Sequence, residues 1–552
     1  MRLLAVTLLC IGTLAAQNPP PPVAPNEPVT PELPARKPLE VPARIGIAGE
    51  AQISLEQVIQ KVLENDRDLA ISHLAVQEAA DNITGAKGYY DPVVGFNGYH
   101  LKSVTPVASI FGGSADGKLT QRALTGDPQI SGNFPILGGT YSLDLSSSRQ
   151  STDSTFVTLN PQFPTSLNLN LTQPLWRGLT FDANRYRIQV ARKNLSLSSE
   201  QLRQRVIETV TQAIQAYWEL DFAYRNLAVQ IEAVRLAEQQ DSGNRRQVKQ
   251  GLLAPVDVIQ TQTQIATFEQ NVFTAQESLT RAEDALKALM SAAREDSIWN
   301  LALVPSTAIN SDVAVPPLAD AIKEALNSRP EIAQSKVSLD VNRLDVRLDR
   351  ESAKPQINAV AKLSVQGLAG SVSPAAANPI LQQFGLVPGT IPGILTGGYG
   401  QSVNDIYQGI FPTVQLGVQM SLPIRNRTAL AQVAVGIAEG KRLAAQSQSV
   451  ELSVEADVRN TLQSLATAQA RLTASEAARK FAEDQYASEQ RQFLAGTSSV
   501  FLVLQRQTDL IAARSREIRA RADLGRAVAD LDRATAQTLV VHNISVDLPK
   551  PK

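Results

Sequence analysis

Three histidines, one cysteine and one glycine-rich run are the residues of this 552-residue chain whose chemistry would be easiest to recognise. His73, His100 and His542 could serve a transition metal, but they are too dispersed to form a local set of ligands. Cys10 could be a thiolate ligand, a nucleophile or half of a disulfide, and it is the only cysteine. The run Gly112-Gly113-Ser114-Ala115-Asp116-Gly117-Lys118-Leu119 approaches a phosphate-binding loop. Its required Ser/Thr is displaced to Thr120 and no strand–helix frame surrounds it, so it reads as a glycine-rich external loop. No Gly-x-Ser-x-Gly elbow is present, and the carboxylates are spread along helical faces among cations. No catalytic, cofactor-binding or metal-ligating constellation is expected, and an enzyme is not expected either. Lys+Arg 52 against Asp+Glu 53 leaves no net field that would gather nucleic acid.

The remaining information lies in the elements. Arg2 precedes an apolar run over 3–14, closed by Ala15 and Ala16, which predicts a cleaved secretory signal at 1–16. Cleavage there would remove Cys10 and leave an exported chain without cysteine. Residues 17–51 are Pro-rich and read as an extended, disordered linker. No later stretch approaches the ~20 apolar residues a spanning helix requires. Any insertion into a membrane would therefore use strands closed into a barrel, since open edges in lipid leave backbone groups unsatisfied.

The chain repeats itself. Ser54-Leu55-Glu56-Gln57 starts a short helix with a capping-box pattern, and a shift of 263 places Leu318, Ile322 and Leu326 on Leu55, Ile59 and Leu63. In the same register Pro92 meets Pro355, each ending a helical pattern and opening an alternating one. A second register, shifted by 245, pairs Arg246-Gln247 with Arg491-Gln492, Gly251 with Gly496 and Gln262-Thr263 with Gln507-Thr508. These registers predict two units, at 52–300 and 318–540, separated by a linker at 301–317 and followed by a tail at 541–552.

Each unit reads as short helix, helix, strand, loop, strand, very long helix, turn and long helix. The first very long helix is expected over 182–249. Its stripe at three-and-four spacing is Leu195, Leu202, Val206, Val210, Ala213, Tyr217, Leu220, Tyr224, Leu227, Ile231 and Val234. At 1.5 Å per residue it would be ~100 Å long. It turns at Gly251-Leu252-Leu253-Ala254-Pro255 and returns to about 290. The second rises over 428–494, turns at Gly496 and returns to about 539.

The strand candidates alternate, as in Ser166-Leu167-Asn168-Leu169-Asn170-Leu171-Thr172 and in Val414, Leu416, Val418, Met420 and Leu422 between polar residues. One apolar and one small-polar face suits a barrel wall between lipid and a wet lumen, and equally a soluble sandwich. The export signal and the long helices favour the barrel. The segments 102–127 and 367–411 read as long exterior loops. Residues 129–134 and 139–148, joined by Pro135-Ile136-Leu137-Gly138, look like an additional hairpin, which would raise the contribution above four strands.

The chain resembles the TolC-like outer-membrane efflux proteins over 52–539. The resemblance is carried by the helix openings at Leu55 and Leu318, the strand exits at Gln173-Pro174 and Leu422-Pro423, and the hairpin tips ending in Gly251 and Gly496. It implies a mainly α fold with a β-barrel part: long antiparallel helical hairpins forming a periplasmic tunnel, joined to strands of a trimeric transmembrane barrel. In that family three subunits make a 12-strand barrel. It further implies a homotrimer in outer-membrane lipid, docked through its tips on a periplasmic adaptor and an inner-membrane pump. Tip and gate candidates are Gly251, Pro255, Asp257, Gly496, Ser498, Leu502 and Gln505, and the strand-boundary prolines are Pro92, Pro174, Pro355 and Pro423. Many relatives carry acids where Leu502 and Gln505 stand here, and some a basic residue at the position of Ser498, so an acidic ring from the second repeat is not expected. Leu502 reads either as a dewetting ring or as coiled-coil core. Asp257 reads as a gate acid or as a helix-start acid favoured by the macrodipole. The competing function is an exported coiled-coil scaffold or adhesin, which would explain the helices but not the matched strands; a general diffusion porin would be strand throughout.

Overall fold

The computed structural model describes residues 39–108, 117–154, 156–310, 312–373 and 391–546. The expected signal at 1–16, most of the Pro-rich stretch, positions 112–116 of the glycine-rich run and the end of the C-terminal tail lie outside them. The chain divides into two compact units. One holds the described residues up to Ile45 with Arg225–Leu279 and Glu476–Arg516; the other holds Gly46–Tyr224, Thr280–Ser475 and the remainder from Glu517.

In the larger unit, β1 (Gly49–Ile53) leads into α1 (Leu55–Asn65) and α2 (Arg67–Lys87). The start of α1 is the expected capping box: the Gln57 N–H donates to Ser54 Oγ at 3.3 Å, and the Ser54 N–H donates to Gln57 Oε1 at 3.0 Å. Strands β2 (Val93–Pro106), β3 (Lys118–Asn133), β4 (Thr140–Thr152) and β5 (Leu159–Pro174) follow, and then α3 (Ala183–Lys249) and α4 (Pro255–Met290). The second half begins with β6 (Leu301–Pro305), α5 (Leu318–Ser328), α6 (Pro330–Ser352) and β7 (Gln356–Val372). It continues through α7 (Tyr399–Tyr407), β8 (Phe411–Ser421), α8 (Arg427–Leu494), α9 (Val500–Ala534) and α10 (Thr538–Val541).

The additional hairpin is present as β3 and β4, so one antiparallel sheet of six strands runs β2-β3-β4-β5-β7-β8. Two of the expected exterior loops are shorter than the sequence suggested. Within 102–127, β2 runs to Pro106 and β3 starts at Lys118, paired residue for residue. Within 367–411, β7 continues to Val372 and α7 lies against β7 and β5. Ser, Thr, Gln and Gly on both faces conceal a strand from pattern reading, because the ladder is made by backbone groups that carry no side-chain signature. The two stretches read as linkers also contain order at their ends, where β1 and β6 form a parallel pair from Gly49↔Leu301 to Ile53↔Pro305.

The helical core of this unit follows three-and-four spacing. Val454, Val458, Leu462, Leu465, Ala468 and Leu472 of α8 meet Ala520, Leu524, Ala527 and Leu531 of α9, with Ala321, Ala325 and Ile332 from α5 and α6. In α3, Leu202, Val206, Val210, Ala213, Tyr217 and Leu220 are buried as expected, but Tyr224 and Ile231 are 39% and 41% exposed. Beyond Leu220 the buried residues are Asp221, Ala223, Gln230, Ala233, Val234, Ala237, Asp241 and Asn244, among which Ala223, Gln230, Val234, Ala237, Asp241 and Asn244 make a heptad-like run with polar residues at inward positions. Val234 is buried as expected, but apolar residue type selected Tyr224 and Ile231 wrongly there.

Gly525 in α9 shows why a helix interior tolerates a glycine: a Cβ at that position would stand 2.6 Å from the indole of Trp218. Gly525→Ala gains about 1 kcal/mol of helix propensity but must displace a ring that is 6% exposed. We expect a net loss of about 1–3 kcal/mol, read as a lowered thermal midpoint in detergent, with Gly525→Leu worse.

Candidate functional site

The alternation of each strand separates two chemistries across the sheet. Along one face, Gly95, Gln129, Asp144, Asn168, Ser364 and Thr413 form a single row across all six strands. The Asn168 amide donates to Asp144 Oδ2 at 2.7 Å, and the Ser364 hydroxyl donates to Asn168 Oδ1 at 2.7 Å. Asp127 accepts from the Ser146 hydroxyl at 2.7 Å, and Asn170 donates to Ser142 Oγ at 3.2 Å. The next row, on the other face, is Val94, Ile130, Leu143, Leu169, Leu363 and Val414. Leu416, Val418 and Met420 continue that face on β8 at 77%, 67% and 60% exposure. An apolar face this large is unfavourable in water and suits lipid; the hydrogen-bonded face suits a wet lumen. Among the described residues no helix is long and apolar enough to cross a membrane.

The four prolines lie at or near strand ends. Pro92 and Pro355 immediately precede β2 and β7, Pro174 is the last residue of β5, and Pro423 follows β8. At edges and first positions a residue without an N–H costs the ladder least. Strands β2 and β8 are the sheet's edges, with no further strand partner among the described residues.

The smaller unit contains the two hairpin tips, and both helices end in the same way. Gly251 and Gly496 each have φ of +75°. The Leu252 N–H reaches Gln247 O and the Gly251 N–H reaches Val248 O, both at 2.9 Å; Thr497 with Gln492 and Gly496 with Phe493 repeat the pattern at 3.0 Å. This is a Schellman cap, whose left-handed residue favours glycine for its backbone and not for space. Gly251→Ala and Gly496→Ala should each loosen a tip by about 1–2 kcal/mol, detected as faster amide exchange confined to the residues flanking the turn.

The following helices start differently. Pro255 is the first residue of α4, and the Asp257 carboxylate reaches back to accept from the Ala254 N–H at 3.2 Å. In the second repeat Ser499 reaches forward instead, accepting from the Leu502 N–H at 3.4 Å. Asp257 and Leu502 thus hold the same helical position with the cap supplied from opposite ends. Ser498 donates to Glu489, and Gln505 donates to Asp509 Oδ1 at 3.1 Å. The tip core consists of Phe493, Val500, Val503 and Leu504, packed by Leu253 and Tyr486; Leu502 is outside it, 40% exposed. Leu252, Val256, Ile259, Leu494 and Phe501 are also exposed apolar residues at the tips, between 52% and 73%. Sequence reading had not singled these out, although five apolar residues flanking two turns are a visible signal. Behind the first tip, Asn244 and Thr261 are fully buried and joined by a 2.8 Å hydrogen bond that ties α3 to α4.

The model of a family described as outer membrane efflux protein matches residues 129–292 and 321–537. No curated protein matches the chain. Among solved structures, the channel protein CusC is similar at 16% identity and TM-score 0.61, covering 87% of this chain and 91% of its own. The CmeC outer membrane channel of Campylobacter jejuni is similar at 14% identity and TM-score 0.61, covering 90% of each chain. The outer membrane protein VceC of Vibrio cholerae is similar at 15% identity and TM-score 0.58, covering 87% of this chain and 95% of its own.

Proposed function

The chain belongs to the outer membrane efflux protein family, and from that premise we propose that three copies form the exit duct of a multi-component efflux or secretion system. Membership makes it an outer-membrane transport protein with its helical part in the periplasm. The observation that supports the proposal best is the six-stranded sheet, with its exposed apolar face and unpaired edges. Six antiparallel strands leave β2 and β8 running in opposite directions. The β8 edge of one copy therefore meets the β2 edge of the next in the same antiparallel sense, and a ring closes without a parallel seam. Three copies supply eighteen strands in place of the family's twelve. Barrel diameter grows roughly linearly with strand number, so the exit is about half again as wide.

The helical hairpins carry exposed apolar residues that neighbouring copies would cover, Tyr224 and Ile231 among them. The apolar tips are the surface for a periplasmic adaptor, which transmits the state of an inner-membrane pump. In this reading the duct is passive and opens when the tips move apart, a two-state change biased by the adaptor. Leu502 lines the constriction, with Ser498, Gln505 and Asp257 around it, and excludes water when the ring is narrow.

The decisive experiment is reconstitution of the full-length protein in planar bilayers. We expect a detergent-requiring, heat-resistant trimer with discrete conductance steps; a water-soluble monomer without conductance would refute the duct. Leu502→Ser should raise the closed-state conductance severalfold, and Leu502→Asp should add cation preference. If neither variant changes conductance, the constriction is elsewhere.

A further inference from the structure

At the end of the sheet away from α2, α3, α6 and α8, the apolar face changes character over β2, β3 and β4. Register places His100 beside Leu124 and Leu124 beside Arg149, and one rung further out Lys102 beside Arg122. These four basic side chains share the face of Val94, Ile130 and Leu143, and all four are exposed. Asp127 and Asp144, the acids on the same strands, are turned to the other face, where Ser146 and Asn168 bind them. Asp153, beyond the end of β4, accepts from the Thr120 N–H at 2.8 Å.

Depth follows from strand length. A tilted strand crosses the hydrocarbon in about 9–11 residues. Counted from the helix-bearing end, Lys102 is the tenth residue of β2 and Arg149 the tenth of β4. The cluster therefore sits at the boundary between hydrocarbon and headgroups of the outer leaflet, on the side that faces lipid.

Directly below lies a groove of about 690 Å³. Gly98, Gly126 and Ser147, in one row, form its floor. Phe96, Leu124, Leu145 and Phe163 line it, and Tyr399 of α7 is a wall. The small floor residues let the Phe96 ring lie across them: a Cβ on Gly98 would stand 2.9 Å from it. An apolar slot opening beneath a patch of cations matches one kind of occupant, a lipid with acyl chains under an anionic head.

The geometry points to a binding site for a phosphorylated, acylated glycolipid of the outer leaflet, with its phosphates on Lys102, Arg122 and Arg149 and one acyl chain in the Phe96–Tyr399 groove. The inference rests on the outer-membrane channel reading. The three permanent cations carry the site. Such a lipid would pin the barrel at a fixed depth and fill the face beside α7.

The test uses the full-length channel in phosphatidylcholine nanodiscs doped with bisphosphorylated lipid A, with enzymatically dephosphorylated lipid A, or with inorganic phosphate alone. Retained lipid is counted by native mass spectrometry. We expect retention of the bisphosphorylated form only, and roughly a hundredfold weaker retention in the Lys102→Gln/Arg122→Gln/Arg149→Gln variant, since each cation at a membrane surface is worth about fivefold. The single variants Lys102→Gln and Arg149→Gln should give intermediate losses, which guards against a triple variant that fails to assemble. Equal retention of the dephosphorylated lipid, or undiminished retention by an assembled triple variant, overturns the inference. Displacement of the lipid by inorganic phosphate alone would overturn the acyl-chain groove. Loss of conductance by the wild-type protein would count against the channel reading, whereas a conducting wild type that ignores the phosphates sinks only this site.

Discussion

Leu416→Arg is expected to abolish the assembled outer-membrane protein, whereas Gln415→Arg, one residue away, is expected to be tolerated. Leu416 lies midway along β8, 77% exposed, on the face it shares with Ala361 and Met420. A cation on the lipid face at the bilayer midplane costs about 2–4 kcal/mol per site in a transmembrane barrel, and three copies would incur it together. Gln415 pairs with Lys362 on the opposite, polar face, where an added cation stays hydrated and meets only a like charge in a wet lumen. The check is the yield of heat-modifiable oligomer in the outer-membrane fraction for each variant. Comparable yields would mean that the apolar face of the sheet does not meet lipid.

The second large effect belongs to Arg329. It stands at the junction of α5 and α6, its side chain 9% exposed, with Nη1 2.6 Å from Asp457 of α8 and Nη2 2.8 Å from Glu331. Arg533 of α9 reaches the same Asp457 at 3.1 Å. Burial pushes both carboxyls up, but the hydrogen bonds and charges outweigh it: Arg329 holds Glu331, and Arg533 with Arg329 holds Asp457, below the usual carboxylate range. Arg329→Met removes the cation that joins the α5–α6 junction to α8 within the second repeat and leaves two half-buried carboxylates short of partners. We expect a loss of about 2–3 kcal/mol at neutral pH, less than for a fully buried pair because both acids keep some water. Arg329→Lys should recover part of it, lacking the two-pronged geometry.

The pH dependence distinguishes this cluster from its neighbour. Glu331 and Asp457 have lowered folded values, so their stabilisation is present above the ordinary carboxylate range and is lost as pH falls through their folded values. Asp532 behaves oppositely, since burial raises it to about 6. Its contribution is complete below the unfolded value near 3.8 and is lost as pH rises towards 6. Thermal melting followed by circular dichroism should show the Arg329→Met variant losing most of its deficit at acid pH. Asp532→Asn should be stabilised by about 1–2 kcal/mol at neutral pH, with no gain near pH 4.

Much of the architecture was legible in the residues because its signals are local. A capping box at Ser54, helix-ending glycines at 251 and 496, and prolines at 92, 174, 355 and 423 each act through their own backbone and a turn or two of chain. Their recurrence at matched spacing identified a duplicated unit, and the long helices α3 and α8 begin within one residue of where periodicity placed them. The additional hairpin was visible for the same reason, through Pro135-Ile136-Leu137-Gly138 between two alternating runs.

What only the tertiary structure decided depends on which residues meet across distance in sequence. Polar strand ends at 102–106 and 118–127 looked like loop because a ladder is made by backbone groups. The stripe of α3 drifted past Leu220 because inward positions there are held by Gln230, Asp241 and Asn244, which residue type assigns to the surface. Asp257 and Leu502 looked like a gating asymmetry, and the folded tips show that they also divide one capping task, the acid reaching back and Ser499 reaching forward. A net charge of −1 hid the cluster of His100, Lys102, Arg122 and Arg149, since it exists only when register turns three strands' cations to one face. Composition sums over the chain, whereas recognition depends on side chains that share a face at one depth.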